Sequence, residues 1–241
     1  MRLKDQIGMA VATALGVLAT TGAQAQTFPG KQPVKLIVPL AAGGSTDIIA
    51  RTMAAKFTEY WNGAAVLVEN RTGGATMIGT DAVAKAAPDG HTMLVVPAPF
   101  SVNATLFAGK LPYDTIKDFA SVVLINTSPL VLVVHPGVPA KSVKELIALA
   151  RAEGGKMQYG SSTVGGSGHL SAELLNMMGD VKTQHIPYKG NAPALTDLMA
   201  GRVTFVFNGT TSVLSLIQAG KLRALGVTST TRVSALPDVP T

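Results

Sequence analysis

Two glycine-rich segments hold the residues with the clearest chemical potential. They are residues 40–47 (LAAGGSTD) and 160–169 (GSSTVGGSGH), and each lies between an apolar run and a helical pattern. Glycine permits backbone turns that leave amide groups exposed. The start of the following helix adds unpaired N–H donors and a partial positive charge. Both segments therefore predict that backbone amides bind an anion such as a carboxylate.

Catalytic and nucleotide-binding interpretations fit these segments less well. Neither contains G-x-x-x-x-G-K-[ST], and neither has G-x-G-x-x-G in register, so nucleotide binding is not favoured. Ser167 near His169 suggests a nucleophile and base, but His169 stands where G-x-S-x-G requires its last glycine. We therefore expect no catalytic residue. An exported esterase-like hydrolase using Ser167 and His169 remains an alternative.

Composition narrows the remaining chemistry. The 241 residues include no cysteine, which excludes disulfides, thiolate metal sites and lipoprotein anchoring. The four histidines are isolated, without H-x-x-x-H spacing or a nearby carboxylate cluster, so we predict no metal and no cofactor. The net charge of +6 is spread over single lysines and arginines. This pattern is compatible with an anionic ligand and argues against nucleic acid as a partner.

The first residues have the pattern of an export signal. Arg2 and Lys4 precede an apolar stretch at 7–20, and Ala23-Gln24-Ala25 forms an A-x-A cleavage site. The apolar stretch is shorter than the roughly 20 residues that a membrane span needs. We therefore predict a signal peptide at 1–25 and a periplasmic mature chain beginning near Gln26.

The elements that must position the two segments alternate along the chain. Short apolar runs predict strands, and between them apolar periodicity predicts helices, in two series that indicate α/β lobes. The expected strands are 34–39, 65–69, 92–96, 130–134, 157–160, 183–186, 203–207 and 222–227. The expected helices are 47–60, 80–87, 142–153, 169–178, 192–200 and 212–219. A polar break at 126–129, after an apolar run at 122–125, is the predicted crossover.

We accordingly expect a first lobe at 26–127, a second lobe at 128–227, and a hinge between them. Ligands of open α/β sheets bind at the carboxyl ends of the strands. We therefore expect the two glycine-rich segments to line opposite sides of a cleft that closes by domain movement.

The chain resembles the Bug family, the substrate-binding proteins of tripartite tricarboxylate transporters. The resemblance covers nearly the whole mature chain and rests on the order of its motifs. They are VPLAAGGSTDIIAR (38–51), ENRTGGA (69–75), LPYD (111–114), YGSS (159–162), HIPYKG (185–190), GKLRAL (220–225) and LPDVPT (236–241). It implies a type II periplasmic-binding-protein fold that captures a small organic carboxylate. The implied partners are the transporter's permease subunits or a sensor kinase, with the receptor itself a monomer.

The resemblance also implies a set of ligand-facing residues. From the first lobe these are Leu40, Ala42, Gly43, Gly44, Ser45, Asp47, Gly74, Ala75 and Thr76. From the second lobe they are Ser161, Ser162, Thr163, Ser167 and Asn208. The effector domain of a transcription regulator can share this fold, but the predicted signal peptide and the missing DNA-binding helices disfavour it.

The chain departs from the family pattern at two places. Asn208 stands where the family usually has aspartate, which predicts a preference for plain carboxylic acids over amino acids. Family chains also continue beyond the motif at 236–241 and return to the first lobe. We therefore expect residues 228–241 to be the start of a truncated return segment, with the C-terminal part of the first lobe missing.

Overall fold

The computed structural model describes residues 28–241, so the predicted signal peptide lies outside the described residues. Eight strands and seven α-helices form two α/β lobes within this range. The strands are β1 (Val34–Val38), β2 (Val66–Asn70), β3 (Thr92–Leu94), β4 (Leu130–Val134), β5 (Gln158–Ser161), β6 (Gln184–Pro187), β7 (Phe205–Gly209) and β8 (Arg223–Val227). The helices are α1 (Ser45–Tyr60), α2 (Met77–Ala84), α3 (Pro99–Leu106), α4 (Val143–Ala152), α5 (Ser167–Gly179), α6 (Asn191–Met199) and α7 (Thr210–Gln218). None of the helices in residues 28–241 combines the length and hydropathy that crossing a bilayer requires.

The first lobe is built on a three-stranded parallel sheet in the order β2-β1-β3. The central strand β1 buries four of its five side chains, including Leu36 and Ile37 on opposite faces. A continuous apolar run is typical of a parallel strand that is covered on both sides. Helix α1 packs on this sheet through Ala50 and Ala54, and it begins at the carboxyl end of β1.

The second lobe contains a five-stranded sheet in the order β6-β5-β7-β4-β8. Strand β5 is parallel to β6 and β7, whereas β4 is antiparallel to β7 and β8. The five strands lie close to the positions expected from the sequence. The antiparallel pairing of β4 could not be predicted, because an apolar run does not indicate the direction of the neighbouring strands. Separate clusters of buried side chains cover the two faces of the sheet.

Three features differ from the expected elements. Helix α3 was not predicted, although Pro99 at its first position is a recognised helix-start signal. Helix α2 begins at Met77 rather than at residue 80, after a short 3-10 helix at Gly74–Thr76. Residues 122–125 form no strand, and Val122 is 81% exposed because no neighbouring strand pairs with it among the described residues.

The last described residues pack against the second lobe. They form an irregular segment in which Leu236 is buried and joins the apolar cluster around Val131. The amide of Val227 donates to the carbonyl of Pro240 at 2.8 Å.

Candidate functional site between the lobes

A cavity of about 220 Å³ lies between the two lobes. The first lobe lines it with Pro39, Leu40, Gly73, Gly74, Ala75 and Thr76. The second lobe lines it with Thr163, Val164, Pro187, Tyr188 and Lys189. These residues lie at or just after the carboxyl ends of β1, β2, β5 and β6, which is where open α/β sheets bind ligands.

Direct contacts between the lobes border the cavity. The amide of Ala41 donates to the carbonyl of Lys189 at 2.7 Å, and the hydroxyls of Ser45 and Ser212 are 2.6 Å apart. The backbones approach closely because Gly190 has no side chain: a Cβ there would lie 2.7 Å from the Cβ of Ala41. The lobes are therefore in contact around the cleft.

The buried carboxylate of Asp47 stabilises the first glycine-rich loop. Its carboxylate is 2% exposed and accepts hydrogen bonds of 2.9 Å from the Gly43 amide, Arg51 Nε and Asn70 Nδ2. Burial alone raises the pKa of the Asp47 carboxyl, but the hydrogen bonds from Arg51, Gly43 and Asn70 outweigh burial and lower that pKa. Asn70 also donates to the carbonyl of Leu40 at 3.0 Å, so this network fixes the loop at both ends.

The turn after β2 has an unusual backbone. Gly73, Gly74, Ala75 and Thr76 all have positive φ, at 124°, 55°, 51° and 78°. Successive residues of this kind can point their amides to one side and form an anion-binding concavity. Within residues 28–241 the amides of Gly74 and Ala75 have no hydrogen-bond acceptor, and both residues line the cavity.

The second glycine-rich loop is held by two stacked histidines, His169 and His185, whose ring centroids are 4.1 Å apart. Ser161 donates to the carbonyl of Thr163 at 2.9 Å, and its oxygen is 2.7 Å from His185 Nε2. A hydroxyl has one proton, so His185 must donate this second bond. The Gly165 amide donates to His169 Nδ1 at 3.2 Å. Burial, and after it the neighbouring His169, lower the pKa of His185 to about 4.

Two amides of this loop remain available on the cavity wall. Among the described residues, the amides of Thr163 and Val164 have no hydrogen-bond acceptor, and both residues face the first lobe across the cavity. Residues whose amides have no acceptor in the described part of the chain thus line one cavity from both lobes. Unpaired backbone amides of this kind can bind an anion.

The predicted site residues divide into two groups. Five line the cavity: Leu40, Gly74, Ala75, Thr76 and Thr163. Nine are not part of its wall: Ala42, Gly43, Gly44, Ser45, Asp47, Ser161, Ser162, Ser167 and Asn208. Asn208 is buried, with its Oδ1 accepting from the Gly209 amide at 2.8 Å, and its Nδ2 has no partner among the described residues.

Sequence reasoning missed the contribution of β6. Pro187, Tyr188 and Lys189 line the cavity, although the motif at 185–190 was noted only as a mark of resemblance. Their contribution could have been inferred from the βα pattern of the chain. They lie at the carboxyl end of β6, and because β6 is parallel to β5, that end is at the same edge of the sheet as the second glycine-rich loop.

The hydrolase alternative needs a hydroxyl bonded to an imidazole. Ser167 is exposed and makes no hydrogen bond with His169 in the described part of the chain, and His169 Nδ1 already accepts from Gly165. A larger open hollow of about 610 Å³ lies elsewhere, on the second lobe beside Arg151 and Asp180. It is remote from the unpaired amides of the cavity.

Two α/β lobes that enclose a cavity at the carboxyl edges of their sheets define a periplasmic-binding-protein fold. Comparison with known proteins identifies the family within that class. The model of the tripartite tricarboxylate transporter family receptor, TctC, matches residues 49–241. The chain belongs to this family of substrate-binding receptors.

Individual relatives agree with this assignment. BugT of Bordetella pertussis is 38% identical over 242 residues, covering 100% of this chain and 72% of BugT. The R. palustris protein Rpa4515, solved with adipate, is 36% identical with a TM-score of 0.85, covering 89% of this chain and 71% of that one. MatC from Rhodopseudomonas palustris, solved with bound malate, is 28% identical with a TM-score of 0.79, covering 87% and 71%.

Proposed function

We propose that this receptor captures a small dicarboxylate in the cavity between its lobes and delivers it to the permease of a tripartite transporter. The observation that carries the proposal is that Gly74, Ala75, Thr163 and Val164 line one cavity from both lobes, and that their amides have no acceptor within residues 28–241. Hydrogen bonds to a charged acceptor are stronger than those to a neutral one. The relatives solved with adipate and malate support the same ligand class.

The charge of the cavity wall favours acids without an amino group. The eleven lining residues include Lys189 but no aspartate or glutamate. The Tyr188 hydroxyl donates to Asp197 at 2.7 Å, which occupies its proton. The ammonium group of an amino acid would therefore lose its hydration without meeting a carboxylate partner. Asn208, from which the same preference was predicted in the sequence, is not part of the cavity wall and therefore does not contribute to it.

Thermal unfolding with and without carboxylates tests the proposal. Succinate, adipate and malate are to be compared with glutamate on the purified chain. A ligand at 100-fold its Kd adds about 2.7 kcal/mol of apparent stability if it binds one site of the folded state only. We expect such a shift for at least one plain dicarboxylate and a much smaller one for glutamate. If none of the three dicarboxylates raised the stability, the proposed capture of a dicarboxylate would be contradicted. Tight binding of glutamate would contradict the proposed preference for acids without an amino group.

We also propose that residues 1–25 direct export, that residues 26–127 and 128–227 form the two lobes, and that the membrane partner is a permease. Fractionation of cells that produce the full chain tests the first point. Recovery of uncleaved protein in the cytoplasm would contradict it. If a sensor kinase is the partner instead, deleting the receptor gene will abolish ligand-dependent signalling and leave carboxylate uptake unchanged.

A further inference from the structure

Asn103 is a buried polar residue of α3 whose amide reaches the cavity-lining turn. The residue is 0% exposed. Its Nδ2 donates to the carbonyl of Ala75 at 2.7 Å and lies 3.4 Å from Thr76 Oγ1. Ala75 and Thr76 are the two non-glycine residues of the turn that have positive φ. The Asn103 side chain therefore contacts the two residues whose backbone conformation is unfavourable.

The conformation of this turn is costly for its sequence. Ala75 and Thr76 have φ of 51° and 78°, a region that residues with a Cβ rarely adopt. Such residues cost on the order of 1–3 kcal/mol each and persist only when the surroundings enforce them. Relaxation to a negative φ would turn the Ala75 carbonyl and the neighbouring amides to new directions. The bond from Asn103 opposes that rotation directly.

Asn103 also lies where the first lobe meets the second. A Cβ built at Gly165 of the second lobe would be 3.5 Å from Asn103 Oδ1 and 3.2 Å from Val102 Cγ1 and Leu106 Cδ2. In the described residues, Asn103 Oδ1 has no hydrogen-bond partner although it is buried. The side chain that holds the turn on one wall of the cavity thus packs beside the loop that forms the other wall.

We propose that Asn103 is a positioning residue for ligand capture. Its amide holds Ala75 and Thr76 in the left-handed conformation that places their backbone at the cavity wall. This inference rests on the proposed function, since positioning matters only if the turn meets a ligand. It assigns a binding role to α3, which contributes no residue to the cavity wall.

The test is a double-mutant cycle that measures adipate binding by titration calorimetry, or malate binding if the wild type prefers malate. We expect Asn103→Ala to weaken binding at least tenfold. In a chain that carries Ala75→Gly, the same change should cost at least threefold less, because glycine adopts positive φ without strain. Asn176→Ala is the matched control: Asn176 is a buried asparagine of α5 that accepts from Thr183 at 2.8 Å, and its loss should leave affinity unchanged.

Several results would overturn the inference. These are unchanged affinity in Asn103→Ala, an equal loss with and without Ala75→Gly, or an equal loss in Asn176→Ala. If Asn103→Ala does not fold, Asn103→Ser replaces it, with the same expectations. The backbone chemical shifts of Ala75 and Thr76 provide a ligand-free measurement that separates this inference from the proposed function. They should leave the left-handed range in the variant even if the wild type binds no carboxylate, and unchanged shifts would refute the inference.

Discussion

At the scale of single residues, the His185 ring connects the second-lobe loop to pH. Burial first, and then the proximity of His169, lower its pKa to about 4, while Glu173 partly opposes this shift. The unfolded chain has a histidine pKa of about 6.5. The neutral ring therefore contributes stability that is complete above about pH 6.5 and is lost as the pH falls towards 4. We predict a loss of about 2 kcal/mol in unfolding free energy between pH 7 and about pH 4.5 from this group.

His185→Gln isolates that contribution, because glutamine keeps a donor for Ser161 but does not titrate. Denaturant unfolding at several pH values should give a flatter pH dependence for the variant than for the wild type. The nearby His169 also has a pKa lowered by burial, and it remains in both proteins, as do Glu173 and Tyr159. Parallel pH profiles for the two proteins would show that His185 does not carry the effect.

Individual contacts also show what can be predicted from the spacing of residues along the sequence. The pair of Asp47 and Arg51 is four residues apart on one helix, so it follows from helix geometry. The bond from Asn70 to Asp47 joins residues that only the pairing of β1 with β2 brings together. From the sequence we therefore predicted ligand contacts in the loop at 40–47, with Asp47 among them, but not the bond from Asn70. The structure shows the Asp47 carboxylate bonded to the loop itself.

At the scale of elements, Gly79 sets how closely α2 approaches the end of β1. A Cβ there would lie 2.6 Å from the carbonyl oxygen of Arg71 and 2.9 Å from the Cβ of Pro39. Gly79→Ala must displace α2 together with the turn that precedes it. We predict a loss of about 2 kcal/mol of stability from overpacking, measured by denaturant unfolding, and weaker carboxylate binding.

Gly137→Ala is the matched control for that change. Its added Cβ would meet only the side chain of His135, at 3.0 Å, and a flexible side chain can move aside. Its stability should change little and its ligand affinity not at all. If Gly79→Ala bound carboxylates as well as the wild type, the position of α2 would not matter to the turn.

Elements were predicted well where periodicity was strong and poorly where a turn decided the outcome. The apolar runs of β1 and β4 predicted these two strands from the sequence alone. Helix α3 was not predicted, because its eight residues show weak apolar periodicity. The left-handed backbone of Ala75 and Thr76 was not predicted because neither residue type favours positive φ. Tertiary contacts stabilise it, among them the bonds from Asn103 to the Ala75 carbonyl and from Thr80 to the Thr76 carbonyl.

At the scale of the whole molecule, Gly190 controls contact between the lobes. Its Cβ position is 2.8 Å from the Ala41 amide, which bonds to Lys189 across the cleft. We predict that Gly190→Ala keeps the lobes apart, so ligand affinity falls at least tenfold while unfolding of the lobes changes little. Small-angle scattering with saturating ligand should show a more extended particle than the wild type.

Gly201→Ala controls for backbone strain in this comparison. Gly201 also has a positive φ, of 70°, but a Cβ there meets no atom within 4 Å. Both variants then pay a conformational cost, and only Gly190→Ala obstructs the seam. Equal ligand affinity in the two variants would mean that contact between the lobes is not needed for capture.

The location of a bound carboxylate is tested most directly by amide NMR of the chain during a titration with adipate or malate. We predict that the largest shifts occur at Gly74, Ala75, Thr163 and Val164, on both walls of the cavity, and that they saturate together with one dissociation constant. Shifts that concentrate around Arg151 and Asp180 on the outer hollow, or on one lobe alone, would contradict capture between the lobes.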